Sequence, residues 1–160
     1  MRTALALAPI LLASCGGAQV APTPRAAFPD EALGFRFGAS YEEAQDACPG
    51  DWHAYPRWER TQHTLCASSG HVVSLTLDGE PLRVVAVGEA SGADSSPDAR
   101  RAADEASIDI ESRYGAPTTT HERERVWRLD GGSIYVGYSG PSSCANGPVY
   151  TVGITYSVRD

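Results

Sequence analysis

Ten residues near the end of the chain, Val149 to Val158, alternate between large and small side chains. Tyr150, Val152, Ile154, Tyr156 and Val158 fall on one side of an extended chain, and Thr151, Gly153, Thr155 and Ser157 on the other. Strand side chains alternate with a period of two. The pattern therefore predicts one buried and one wet face, as in an antiparallel sheet covered on a single side. The same alternation appears at Val73, Leu75 and Leu77, before the turn pair Asp78-Gly79, and Leu82 to Val87 returns from it. That arrangement predicts a hairpin. A second hairpin is predicted from Val126 to Tyr138, around "LDGGS".

A different period rules from Ala99 to Tyr114. Ala99, Ala103, Ala106, Ile110 and Tyr114 recur at intervals of three and four, which puts them on one helix face. Ser96 as N-cap and Pro97 at the first helical position open this helix, and Gly115 with Pro117 closes it. A shorter helix is predicted after Ser40, which forms a capping box with Glu43. Ala44, Ala47 and Cys48 share its face, and Pro49-Gly50 ends it. The segment from Pro49 to Cys66 shows no clean period and is read as irregular, and "ASGADSSPD" from Ala90 is read as a loop.

The order helix, strands, helix, strands predicts an α+β fold: an antiparallel sheet of five or six strands with two helices on one face. "LTLDGE" and "WRLDGG" begin at Leu75 and Trp127, 52 positions apart, each in the hairpin that follows a helix. This hints at two helix-plus-strands repeats.

The first thirty residues follow another logic. Arg2 is the lone charge before an apolar run, Ala4 to Leu12, far short of the ~20 residues that span a bilayer. A basic start, a short apolar centre and small residues behind it predict a secretory signal over residues 1–14. Leu12-Ala13-Ser14-Cys15 resembles the lipobox of bacterial lipoproteins, which implies acylation of Cys15 and a membrane anchor. Stable anchoring needs two or more lipid signals. Gly16, in place of an aspartate, favours the outer membrane on the same resemblance. Residues 15–31 are rich in Gly, Ala and Pro and are read as a tether, leaving residues 32–160 as one domain.

The formal charge is −7, and all 13 basic residues are arginine. An acidic chain with no basic run speaks against nucleic acid as a partner and against electrostatic adsorption to anionic lipid. Behind Cys15 stand Cys48, Cys66 and Cys144. Export to an oxidising compartment makes a disulfide the expectation. Cys48–Cys66 is favoured for its short loop, leaving Cys144 as a free or intermolecular thiol.

"FGASYEEAQDAC", "SRYGAPT" and the Trp-containing hairpin behind them are similar to small bacterial lipoproteins without assigned function. Through Gly38-Ala39-Ser40 the chain more distantly resembles the small lipoprotein of the outer-membrane barrel-assembly machinery. In order of elements it also resembles the beta-lactamase inhibitor proteins, built from two helix-plus-strands repeats. Both resemblances imply binding proteins and an architecture; neither implies a role for any single residue.

Candidate chemistry is sparse. Trp52, Tyr55 and Trp58 fall within seven residues, interleaved with Arg57 and Arg60. Trp, Tyr and Arg dominate protein-binding hot spots, and aromatics equally well close the open end of a small core; both readings stand. Cys48, His53, His63, Cys66 and His71 match no compact zinc spacing, so neither metal nor cofactor is expected. Gly137-Tyr138-Ser139-Gly140-Pro141 misses the nucleophile elbow at its last position. Glu122, Arg123, Glu124 and Arg125 alternate in sign, a pattern read as a charged edge strand. The expectation is a non-enzymatic, lipid-anchored envelope protein facing the periplasm. It would bind an envelope protein through Trp52, Tyr55 and Trp58, with the exposed sheet face as a further surface. A purely structural envelope component and a small hydrolase with a His and carboxylate site are the alternatives.

Overall fold

The alternating segments pair into a sheet larger than their pattern predicts. The computed structural model describes residues 25–68, 71–144 and 147–158. The leader, Cys15 and most of the tether lie outside them. In chain order the elements are β1 (Glu31–Ala32), β2 (Phe35–Arg36), α1 (Tyr41–Ala47), β3 (Asp51–Ala54), β4 (Gln62–Ser68), β5 (His71–Asp78) and β6 (Arg83–Ala93). Then follow α2 (Ser96–Tyr114), β7 (Thr119–Thr120), β8 (Glu124–Leu129), β9 (Gly132–Cys144) and β10 (Gly147–Val158). β1 and β2 form a two-stranded sheet; the other eight strands form one antiparallel sheet in the order β3-β4-β5-β6-β10-β9-β8-β7.

The expected five or six strands are thus eight in the main sheet. Most of the difference lies in the segment read as irregular. β4 does alternate, but two of the three side chains it buries, Gln62 and Thr64, are polar and only Cys66 is apolar, which leaves little hydrophobic signal. β6 runs on to Ala93 through "ASGA", read as loop, because small residues there still pair with β10.

Both helices lie on the same face. Leu75, Val87, Tyr156, Ile134 and Trp127 stand opposite one another on five adjacent strands, so they share a side. α1 packs Ala44 on the Leu75 and Val87 end of this row. α2 packs Ala99, Ala103 and Ile110 on the Ile134 and Trp127 end. Tyr156, between them, touches both clusters.

Local chemistry sets the helix ends. Glu43 N donates to Ser40 Oγ (3.2 Å) and Ser40 N to Glu43 Oε2 (2.7 Å), the expected capping box. The backbone N–H of Ser40, and then its hydroxyl, hold the Glu43 carboxyl below its usual range. The cap of α2 is Ser95, one residue before the expected Ser96. Gly115, at φ 79°, stops α2, and its carbonyl accepts a 2.8 Å bond from Trp127 Nε1.

Folding begins upstream of the expected boundary at residue 32. Phe28 N donates to the Asp130 carbonyl (2.9 Å), and the Phe28 ring sits 4.9 Å from Phe37. Cys48 and Cys66 place their sulfurs 2.02 Å apart, tying the end of α1 to β4 as expected. Arg125 corrects the charged-edge reading: it points under α2, to Asp104 Oδ1 (2.5 Å) and Ser107 Oγ (3.0 Å), and β7 covers the outer side of β8.

Candidate functional site

With the helices on one side, the other side of the sheet is bare over most of its extent, with Val126 on β8 buried. Register identifies its rows. One runs His53, Leu65, Ser74, Gly88, Thr155, Tyr135 and Val126 from β3 to β8. The next runs Thr76, Ala86, Ser157, Ser133 and Arg128, with His63 and Tyr55 continuing it on β4 and beyond β3. The centre is therefore Gly, Ala, Ser and Thr, and charges stand only toward the edges. Large side chains frame it: Tyr55 is 53% exposed, Val72 43% and Tyr135 38%. A shallow depression of about 310 Å³ opens beside Tyr135, floored by Gly137, Gly153 and Thr155.

Bare backbone makes this floor flat. A Cβ added at Gly88 would stand 3.1 Å from the Ile154 carbonyl and 3.2 Å from Ser74 Oγ. Thr76 Oγ1 lies 3.2 Å from His63 Nδ1, a hydrogen bond that orients the imidazole across the face.

The three aromatics singled out in the sequence separate. Trp52 belongs to the helix side. It stands opposite Cys66, is half-buried, packs edge-on to Tyr41 with centroids 5.6 Å apart, and donates from Nε1 to Tyr41 Oη at 2.9 Å. Tyr55, three positions on, takes the opposite, bare face, and Gln62 Nε2 donates to its carbonyl. Trp58 stands at the tip of the β3–β4 loop, 76% exposed. Reciprocal bonds between Trp58 and Thr61 (2.9 and 3.0 Å) close that tip, with Glu59 at φ 52° between them. Arg57 folds back, donating to Glu80 Oε1 at 3.0 Å.

One groove brings a histidine and a carboxylate together. About 460 Å³ in volume, it lies between α2 and β6 and is lined by Ala102, Ala106, Val152 and Ile154, with His71 and Glu89 at its edge. Neither His71 nor Glu89 makes a side-chain hydrogen bond among the described residues. Burial in the neighbouring seam raises the Tyr156 hydroxyl above its ordinary value of 10.0. Among the described residues no group of three or more His, Cys, Asp or Glu is placed to hold a metal ion. No described helix is long and apolar enough to cross a membrane.

Position on the bare face was hidden from the pattern for Val72, Ser74, Gly88 and Tyr135. The signal that finds such residues is the register opposite the wet side of β10: Thr155 pairs with Gly88 and Tyr135, and Gly153 with Gly137. No protein family, curated protein or solved structure gives a significant match to the chain.

Proposed function

We propose that this is a lipid-anchored envelope protein, held through acyl chains on Cys15, that binds a partner protein on the bare face of its sheet. The carrying observation is that face itself. Eight strands spaced about 4.8 Å apart span about 34 Å, and seven residues of strand reach about 24 Å. That area, on the order of 800 Å², is what one partner gives to a standard interface. Its lack of central charge and its frame of Tyr55, Val72 and Tyr135 are features shared with an interface core, where charge is depleted and aromatics are enriched, whereas the Ala and Ser of the centre are not.

The strand order mirrors itself about the β6–β10 pair, each half holding one helix and four strands. This supports reading the chain as two helix-plus-strands units joined edge to edge into one surface. Gly16 in place of an aspartate, on the lipoprotein resemblance, favours the outer membrane over the inner one, with the domain in the periplasm.

The test is site-specific photo-crosslinking of the acylated protein in its own envelope, with the probe at Thr155 or at exposed Glu105 on α2. Adducts of one defined mass from Thr155 and none from Glu105 are expected. Equal adducts from both sites, or none from either, would return the protein to a purely structural role.

A further inference from the structure

Because the strands alternate in direction, their connections divide between two ends of the sheet. One end gathers the β3–β4 loop (residues 55–61), the β5–β6 turn (79–82), the β8–β9 turn (130–131) and the end of β10 at Val158. Contacts join these into one continuous rim. Asp130 holds Phe28, Phe28 packs on Phe37, Gly38 N donates to the Val84 carbonyl (2.9 Å), and Arg83 Nη1 donates to the Gly38 carbonyl (3.3 Å). Arg57, reaching Glu80, closes the run at the aromatic loop.

The chain enters the described structure on this rim. Ala27 bridges to Asp130, and Arg25 lies two residues before it. Ten positions separate Cys15 from Arg25, and a fully extended chain covers at most about 3.5 Å per residue. An anchor at Cys15 therefore keeps Arg25, where the chain joins this rim, within about 35 Å of the bilayer, and the β3–β4 loop stands five strand spacings, about 24 Å, farther along the same rim. On that rim stands Trp58, the most exposed large apolar side chain among the described residues, on a tip whose backbone is already closed.

We propose that Trp58, on a tip that also carries Glu59, Arg60 and the Glu80-paired Arg57, seats in the headgroup region of the bilayer that carries the anchor, laying this rim on the membrane. The inference rests on reading Cys15 as the lipid anchor. Tryptophan concentrates at membrane–water interfaces because its ring is apolar and its N–H is polar. One indole alone binds a bilayer weakly. A tether makes the contact intramolecular, at an effective concentration that makes a weak contact sufficient. The formal charge of −7 opposes adsorption by charge, so the contact is carried by the ring and varies little with salt. A bilayer accounts for the loop better than a protein partner does, because Trp58 lies on the tether rim and not among the rows of the bare face.

The test uses the full-length acylated protein in phosphatidylethanolamine–phosphatidylglycerol vesicles, with ordinary or brominated acyl chains, read by tryptophan emission. Wild type is expected to float with the vesicles and to lose emission on brominated lipid. Trp58→Phe should float equally and lose less than half as much. Flotation without extra quenching would overturn this inference and leave the anchor standing. Flotation that survives Cys15→Ala, or no flotation of wild type, would overturn the anchor reading and this inference with it. Trp58 unquenched in pure lipid but shielded from iodide in native envelopes would assign it to a protein contact, which also overturns the inference.

Discussion

Thr64 is the residue least at ease in its surroundings. It is 1% exposed on the helix side of β4, and its hydroxyl has no hydrogen-bond partner among the described residues. A buried polar group left so costs about 1–3 kcal/mol. Thr64→Val keeps the shape and removes the hydroxyl, and is expected to raise the urea midpoint by the equivalent of about 1 kcal/mol; a lower midpoint would show that the hydroxyl is bonded. Tyr156 carries a pH dependence. Burial raises its hydroxyl above 10.0 in the folded protein, so the folded state holds the proton more tightly than the unfolded one. The corresponding stability is complete below the unfolded value and is lost as pH rises through the raised one. Wild type should therefore lose stability above pH 10 more steeply than Tyr156→Phe, as followed by thermal melts from pH 8 to pH 11. The aromatic cluster shows how far single residues were legible. Tyr55 lies three positions from Trp52, and an odd offset in extended chain already assigns them to opposite faces. Trp58 lies six from Trp52, an even offset, yet the turn from Trp58 to Thr61 breaks the extended run and re-aims it. Alternation holds only while the strand does.

Elements differed in legibility for a physical reason. α2 declares itself because nineteen residues repeat a stripe between a cap and a glycine. β10 does so because its two faces meet different solvents. β4 hides because two of its three buried side chains, Gln62 and Thr64, are polar, and the pairing that fixes it comes from β3 and β5. α1 is seven residues long, well under the 12–15 at which an isolated helix becomes even marginal. Its cap, the packing of Ala44 and the Cys48–Cys66 bond hold it. That bond links residues 18 apart, and closing such a loop is worth about 3 kcal/mol. Reduction with dithiothreitol is expected to lower the denaturation midpoint by that amount and to speed hydrogen exchange in α1 and β3 before α2. Uniform loss of protection across both helices would mean that the bond does not act locally. Ser40→Ala should cost about 1 kcal/mol, read in the same denaturation experiment.

At the scale of the molecule, two clusters sit on one sheet and meet at Tyr156 and along the β6–β10 pair. The fold class and the single covered face were legible in the pattern. The exposed opposite face was legible too, but its extent and the residues that line it were not, since these are set only once eight strands stand in register. Gly88 lies inside the seam, with the Ile154 carbonyl and Thr155 Oγ1 each 3.1 Å from where a Cβ would be. Gly88→Val is expected to push β6 from β10 and cost about 1–3 kcal/mol. Calorimetry should then show a broader transition, as each half begins to melt on its own cluster; an unchanged single transition would mean that the clusters are coupled by more than the seam.

The mirrored strand order also bears on how quickly the sheet assembles. Every other pairing in the main sheet joins strands that are neighbours in the chain; β6 with β10 alone joins strands separated by a helix and three strands. Contact order is thus low for so large a sheet, and low contact order goes with fast folding. Each half can zip up as a meander before the two meet, which leaves the seam to close last. Stopped-flow kinetics should then find that Gly88→Val speeds unfolding with little effect on folding. A change at the Asp78-Gly79 turn, where Gly79 has φ 94°, should slow folding instead.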